Sequence, residues 1–333
     1  MKKLAICIPT YNRSYHLKNC LNSILLNGHE VKNIEVCISD NNSTDDTKNI
    51  VNFYKKHIDI NYHINTENIG VAKNILKSVA ISNSEFCWVV GDDDMLLQNS
   101  IKEVLNLIEK YKNVDYFYVN SYHFDCKLLK NYSYPINTSE LPNNLEKFSN
   151  FKNDFYAKFI ELINPKVSFD FLGGLYLSVF RKYNWDSNLD KINQKNINNN
   201  LLFSNIDNTY PHIKIFSYAF KNSDAYFCSK ALSINLFGVR EWTSLYPIVR
   251  SLRSVDALNI YYKNGLSMIK LFQYKNFALQ YFFPDIIKLL INIKNTYPYL
   301  IEIFFFYLKN CYYPNLYLSI FYQLGRSIKK YSR

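Results

Sequence analysis

The chain reads as an α/β protein: a mostly parallel sheet with helices on both faces, followed by a helical, aromatic-rich C-terminal region. Three observations predict this. Short apolar runs of continuous Val/Ile/Leu character alternate with helix-period segments through the first 120 residues, the pattern of strands buried on both faces of a parallel sheet. Each run ends in a polar cluster. From Leu245 onward the pattern changes to helical periodicity dense in Tyr and Phe.

The first strand is Leu4 to Ile8, which runs straight into Pro9-Thr10-Tyr11-Asn12-Arg13. Its apolar stretch is too short for a secretory leader, so it is expected to be a core strand. Leu17, Leu21, Ile24 and Leu25 recur at helical spacing between Ser14 and Leu26. Ile34 to Ser39 forms the second strand and ends at Asp40. Ser43-Thr44-Asp45-Asp46 then supplies a helix cap with acids in the first turn, predicting a helix to about His57. Ile60 to Ile64 is the third strand, Gly70 to Ile81 a helix, Phe86 to Val90 the fourth strand, and Ser100 to Tyr111 an amphipathic helix. Val114 to Val119 closes the series.

Beyond it the sequence is less regular. Asn184 to Asn208 is dense in Asn and is expected to be a mobile loop or a low-complexity surface insertion. Residues 251–333 hold eleven Lys or Arg against three Asp or Glu. Aromatic and cationic side chains on helices suit a bilayer interface. A helical core with a solvated lysine face reads the same way.

The 333 residues carry a formal charge of +11. Positive charge suits anionic lipid or phosphorylated small molecules. With no Arg-rich run, nucleic acid is not an expected partner. Seven scattered cysteines without a CxxC pair fit a reducing compartment, so the chain is expected to be cytoplasmic. No segment offers eighteen uncharged apolar residues, so no membrane span is predicted.

In a parallel sheet, ligands bind beyond the carboxyl ends of the strands. That rule lines up Pro9 to Asn12, Asp40 to Asn42, Asn65 to Asn68 and Asp92 to Asp94 along one edge. Asp40 can accept an N–H of a pyrimidine or guanine base, with Asn41 and Asn42 adding hydrogen bonds. Tyr11 can stack on a base and Arg13 can sit near phosphate. Asn68 and its neighbours, with Gly70, suit a ribose or sugar contact. Gly91-Asp92-Asp93-Asp94 offers hard oxygen ligands for Mg²⁺ or Mn²⁺, which can in turn hold a diphosphate; a turn with solvated acids is the plainer reading.

AICIPTYNR at 5–13, ISDNNSTDDT at 38–47, NTENIGVAKN at 65–74 and WVVGDDD at 88–94 together resemble family 2 glycosyltransferases of the GT-A fold. The resemblance is strong over about residues 3–120 and weak to about 240. It implies an inverting, metal-dependent transferase that moves a sugar from a nucleotide-diphosphate donor to a saccharide, lipid-linked or free, in bacterial surface glycan synthesis. Pro9, Tyr11, Arg13, Asp40, Asn42, Asn68 and Asp92 then belong to the nucleotide-sugar site, and Asp93 and Asp94 to the metal. The implied GT-A domain spans 1–240, with a nucleotide-sugar half over 1–120 and an acceptor half over 121–240. The helical region, 241–333, is expected to lie peripherally on the inner face of the membrane or to pack as a core.

One departure stands out: the family commonly reads Asp-x-Asp-Asp, and Gly91 stands where the first Asp belongs. The GDDD form resembles a subgroup that includes abequosyltransferases. The general base has no clean counterpart, and Asp207, His212 and Asp170 are the candidates. Arg240 can close over a diphosphate or serve a helix cap. A nucleotidyltransferase is disfavoured, because PTYNR is not its Gly-rich loop. A catalytically silent nucleotide-sugar-binding or scaffold protein is the rival reading.

Overall fold

The computed structural model describes residues 1–142, 144–238 and 243–331, so Arg240 lies outside the described residues. Contacts group the chain into two units. The first comprises Met1–Leu162, Gly173–Lys191 and Tyr218–Val239; the second comprises Ile163–Leu172, Ile192–Ser217 and Arg240–Arg333.

The first unit is built on one nine-stranded sheet. β1 (Leu4–Thr10), β2 (Ile34–Asp40), β3 (Ile60–Ile64) and β4 (Phe86–Val89) lie parallel in the order β3-β2-β1-β4. Thr10 pairs with Asp40, and Asp40 with Ile64, so the strands finish side by side. The order turns back at β1, which makes the edge beyond β1 and β4 a switch point.

α1 (Ser14–Leu25), α2 (Thr47–Tyr54) and α4 (Ser100–Lys110) cover one face. There Leu4, Ile6 and Ile8 of β1 pack with Leu17, Leu21 and Ile24 of α1 and Val51 of α2. α3 (Val71–Ala80) covers the other face, against β1 and β2. Beneath it the strands present small side chains: Ala5 and Cys7, with Cys37 in register with Cys7 and Cys87 in register with Ala5. α3 meets them with Ala72, Asn74, Ser78 and Val79. Small residues on both surfaces let helix and sheet approach closely.

The other half of the sheet is mixed rather than parallel. β6 (Tyr116–Asp125) and β8 (Ser178–Arg181) run antiparallel, and β8 returns antiparallel to β4. β9 (Asp224–Phe237) runs beside β6 along its length. The first part of β9 pairs with β7 (Phe155–Lys158), and its last part with the two-residue β5 (Met95–Leu96) that follows the acidic cluster. This 14-residue strand was not expected from the sequence, because no helix separates it from its neighbours as in the first half.

The second unit is helical: α5 (Pro211–Ala219), α6 (Ser254–Lys263), α7 (Met268–Ala278), α8 (Phe282–Ile291), α9 (Leu300–Asn310) and α10 (Pro314–Tyr331) are its longer members. The segments 163–172 and 192–217, expected with the sheet, group with these helices. Arg253 donates to the carbonyls of Phe203 and Ser204, and the hydroxyl of Tyr261 donates to that of Leu172.

The Asn-rich stretch holds short capped helical turns. Asn193 caps the turn Gln194–Ile197, and Asn205 and Asn208 form a reciprocal capping box on Ile206–Thr209. The Asn208 side chain also donates to the carbonyl of Leu201 at 2.9 Å. Asn is favoured in such caps because its side chain satisfies backbone N–H groups at helix starts.

Candidate functional site

The strand ends of the first unit meet in one hydrogen-bonded edge. After β1 and β2 the chain turns through left-handed residues, Asn12 (φ 51°) and Asn42 (φ 64°), a conformation that Asn tolerates better than most side chains. The two loops are laced together. Asn12 accepts from the Thr44 amide at 2.7 Å and donates its own amide to Ser43 Oγ at 2.8 Å. Asp45 accepts from the Ser14 amide at the start of α1 (2.8 Å) and from Thr47 at the start of α2 (Oγ1, 2.6 Å). One carboxylate thus serves two helix starts. Burial raises its pKa, but the hydrogen bonds from Thr47 and Ser14 outweigh that and hold it below the usual carboxylate range.

Asp40 is buried at the end of β2. Its carboxylate accepts from the Ser43 amide (2.8 Å) and from the Tyr62 hydroxyl (2.5 Å). A carboxylate has about four lone-pair sites, so it retains acceptor capacity beyond those two. Tyr11 stands 42% exposed at the same edge, Pro9 is half-buried within β1, and Asn42 is exposed.

Behind them lies a buried amide network. Asn74 of α3 donates to the Thr10 carbonyl at 3.2 Å and accepts from Ser39 Oγ (2.7 Å) and Asn65 Nδ2 (3.1 Å). Asn41 donates to Asn68 Oδ1 at 2.6 Å, and that oxygen also accepts the Gly70 amide at 2.9 Å. Asn68 is therefore fixed from both sides while its residue stays exposed.

The acidic cluster follows β4, and its three carboxylates part company. Asp92 is 4% exposed and accepts from Thr10 Oγ1 at 2.8 Å. Arg13 forks across two carboxylates, donating to Asp92 Oδ1 and to Asp93 Oδ2, each at 3.0 Å. Burial pushes the Asp92 pKa up to about 7; Arg13 opposes that shift, and the negative Asp93 adds to it. Burial is the larger effect. This carboxylate, crowded by another and poorly solvated, gains from nearby positive charge.

Asp94 faces inward. It accepts from Asn235 Nδ2 of β9 at 2.7 Å and from the Gly91 amide at 3.0 Å, so it braces the cluster against the sheet. Gly91 sits tight against the two carboxylates that follow it. A Cβ there would lie 2.8 Å from Asp93 Oδ1 and 2.9 Å from Asp94 Oδ2. A larger residue at 91 would therefore make the Asp93 and Asp94 carboxylates shift.

Among the described residues no three side chains of His, Cys, Asp or Glu gather into a metal cage. Asp92 and Asp93 nonetheless present the donor chemistry that Mg²⁺ or Mn²⁺ accepts when a diphosphate supplies its remaining ligands.

The three base candidates belong to the second unit. Asp170 is half-buried in the turn Phe169–Leu172, accepting from Ser168 Oγ at 2.8 Å. Asp207 is fully buried and held by Lys214 Nζ at 2.9 Å and Asn196 Nδ2 at 3.1 Å. His212 is buried near the start of α5, where desolvation lowers its pKa to about 3. An imidazole so shifted is neutral at pH 7 and a weak base.

Four residues at this edge escaped sequence reasoning: Thr10, Tyr62, Asn74 and His16. Asn74 had a readable signal, a polar residue on the apolar face of α3. His16 sits one turn after Arg13; burial, then the Arg13 charge, holds its pKa below the ordinary value. Its buried Nδ1 has no hydrogen-bond partner among the described residues.

Comparison with known proteins adds to this geometry. Residues 5–169 match the family model described as Glycosyl transferase family 2. The abequosyltransferase RfbV of Salmonella typhimurium is 42% identical over 102 residues, 29% of this chain and 30% of the relative. A Campylobacter jejuni protein, GalNAc(5)-diNAcBac-PP-undecaprenol beta-1,3-glucosyltransferase, is 30% identical over 189 residues, 55% of this chain and 52% of the relative. The chain thus spans about half or less of these curated relatives. Among solved structures, Staphylococcus aureus TarS 1-349 in complex with UDP superposes with a TM-score of 0.55 at 18% identity, covering 85% of this chain and 72% of that one. A mannosyltransferase from Pyrobaculum calidifontis, in complex with GDP-Man and Mn²⁺, gives 0.54 at 12% identity, covering 98% and 86%. At these identities the superpositions speak for the fold, which is GT-A.

Proposed function

We propose, from the match of residues 5–169 to glycosyltransferase family 2 and the likeness to its relatives, that the chain transfers a sugar from a nucleotide-diphosphate donor to a saccharide acceptor, with inversion, in bacterial surface glycan synthesis. The observation that carries the reading is the single edge where three strand ends meet: Asp40 from β2, Thr10 of β1 with Arg13 just beyond it, and Asp92 and Asp93 beyond β4.

The residues divide the work as follows. Asp40, oriented by Tyr62 and Ser43, accepts an N–H of the base, and the exposed Tyr11 ring stacks on it. Asn42 and Asn68 border the ribose side of the edge. Asp92 and Asp93 would hold a divalent cation, Mn²⁺ or Mg²⁺, while Asp94 keeps their loop seated on β9. When bound, that ion neutralises charge on the leaving diphosphate. Arg13, already aligned on the two carboxylates, sits where it can also meet phosphate oxygens.

In an inverting transfer the acceptor hydroxyl oxygen forms a bond to the anomeric carbon as the carbon–diphosphate oxygen bond breaks, and a base takes the hydroxyl proton. Of the three base candidates, Asp170 is the one that substitution tests here. Asp207 is committed to Lys214, and His212 is too weakly basic. The Campylobacter relative is named for a PP-undecaprenol-linked saccharide, which supports a lipid-linked acceptor here as well.

The test is thermal-shift binding of nucleoside diphosphates with and without Mn²⁺. One nucleotide is expected to stabilise the protein only with the metal, and Asp93→Ala is expected to abolish that shift. Asp170→Asn is expected to keep the shift and lose turnover. A protein that binds the nucleotide sugar with full Asp170 variant activity, or shows no metal-dependent shift, sinks the respective assignment. No turnover in the native protein with retained binding would favour the scaffold alternative.

A further inference from the structure

Helix α9 carries large apolar side chains on its outer as well as its inner face. Ile303 and Phe306 are buried on its inner face, while Ile301 (73% exposed), Phe304 (58%), Phe305 (54%) and Leu308 (49%) form an outward stripe at i, i+3, i+4, i+7. Neighbouring helices repeat the pattern, with Ile287, Leu290 and Ile291 exposed on α8 and Met268, Ile269 and Phe272 on α7. A soluble surface seldom carries so many large apolar side chains in ordered stripes.

Cations border these stripes. Lys288 lies beside Ile287 and three residues before Ile291, and Lys309 is four residues after Phe305; both are exposed. The acids of this region do not offset them. Asp285 is paired with Arg250, and Asp256 and Glu302 are both paired with Arg253.

Between α6, α7 and α9 lies a cavity of about 540 Å³, lined by Lys275, Lys309, Phe305, Asn259 and Asn310 together with the two acids already held by Arg253. Lys275 is only 8% exposed. Its ammonium makes no salt bridge within 4.0 Å among the described residues, having the Tyr313 ring at 5.8 Å and the Asp256 charge at longer range. Burial lowers its pKa. A buried cation with only distant compensation calls for an anion, and Phe305 of the apolar stripe is one of the side chains that line this cavity.

We propose that the surface of α7, α8 and α9 lies on an anionic phospholipid bilayer, its apolar stripes in the interface and the Lys275 cavity receiving a lipid phosphate. This goes beyond the transfer reaction and does not depend on it. Charge decides the occupant. A second copy would bring one lysine-rich face against another, whereas an anionic bilayer satisfies lysines and apolar side chains together. No helix among the described residues is long and apolar enough to cross a membrane.

The full-length protein is pelleted with phosphatidylcholine vesicles that contain or lack phosphatidylglycerol. Binding is expected only with the anionic lipid and is expected to weaken as salt rises. Phe304→Ser with Phe305→Ser should release the protein, and Lys309→Gln and Lys275→Met should each weaken binding about fivefold. The exposed positions keep the test valid if Lys275→Met fails to fold, with unchanged helicity as the control. Three results would overturn the proposal: a protein left in the supernatant at low salt, self-association in ultracentrifugation that Phe304→Ser removes, or a Lys275→Met variant that loses inorganic phosphate binding while holding vesicles normally.

Discussion

Asp92, Asp93 and Asp94 are adjacent, yet the first two share Arg13 while the third turns away to Asn235. Strand-terminal acids are legible in a sequence, because an apolar run that stops at a carboxylate marks the end of a buried strand. Their directions are not legible. Asp94 turns to Asn235, a partner 141 positions away that no local pattern reveals, while Arg13 reaches back across 79 positions to Asp92. The same limit hid Thr10 and Tyr62, whose hydroxyls hold Asp92 and Asp40. Gly91 is the residue on which this arrangement turns. Gly91→Ala places a Cβ within 3.0 Å of two carboxylate oxygens, and Asp94 is pinned by two hydrogen bonds and cannot yield cheaply. The expected cost is about 1–3 kcal/mol of stability, the usual range for an overpacked site. It should come with lost metal-dependent nucleotide binding, because Asp93 is displaced. Urea denaturation and thermal shift on the same variant check both. An Ala variant that binds normally would show that the glycine is incidental.

At the scale of elements, the first four strands were readable because each is a continuous apolar run bounded by a helix of clear period. Of the second half only the start of β6 was, since the rest of β6 and all of β9 come from an irregular stretch and pair through a bulge. Register shifts fall on both sides of Asn120. That residue is fully buried and repairs the break: its Oδ1 accepts from the amides of Ser121 (3.1 Å) and Ser149 (3.2 Å), and its Nδ2 donates to the carbonyls of Ser149 (2.9 Å) and Ser229 (3.2 Å). Bulges need such help because the ladder leaves backbone groups unpaired. Asn120→Leu, close in size, is expected to strand those groups and cost about 3 kcal/mol. The urea midpoint should fall with little change in slope. A midpoint shifted by less than about 1 kcal/mol would mean water replaces the amide. The Asn-rich caps teach the converse lesson. Composition suggested mobility at 184–208, but Asn at helix starts is a structural choice, and Asp207 within it is a hub for Lys214 and Asn196 rather than a solvent-facing acid.

For the whole molecule, the concentration of positive charge in residues 251–333 was plain in the sequence, whereas the outward stripes required knowing which helix faces are buried. The donor edge and the lipid surface also fall in different units. That separation makes one experiment decisive for both assignments. Amide exchange slows where a ligand suppresses local opening. A nucleoside diphosphate with Mn²⁺ should therefore protect the loops at 10–13, 40–45 and 91–94, whose amides and side chains form the donor edge. Anionic vesicles should instead protect α7, α8 and α9, whose apolar residues leave water on binding. Because the two readings rest on different residues, each footprint can fail alone. Vesicle protection confined to the loops at 40–45 would place the anion response at the donor edge. Nucleotide protection confined to α9 would move the Lys275 cavity into the donor site, and neither assignment would survive in its present form.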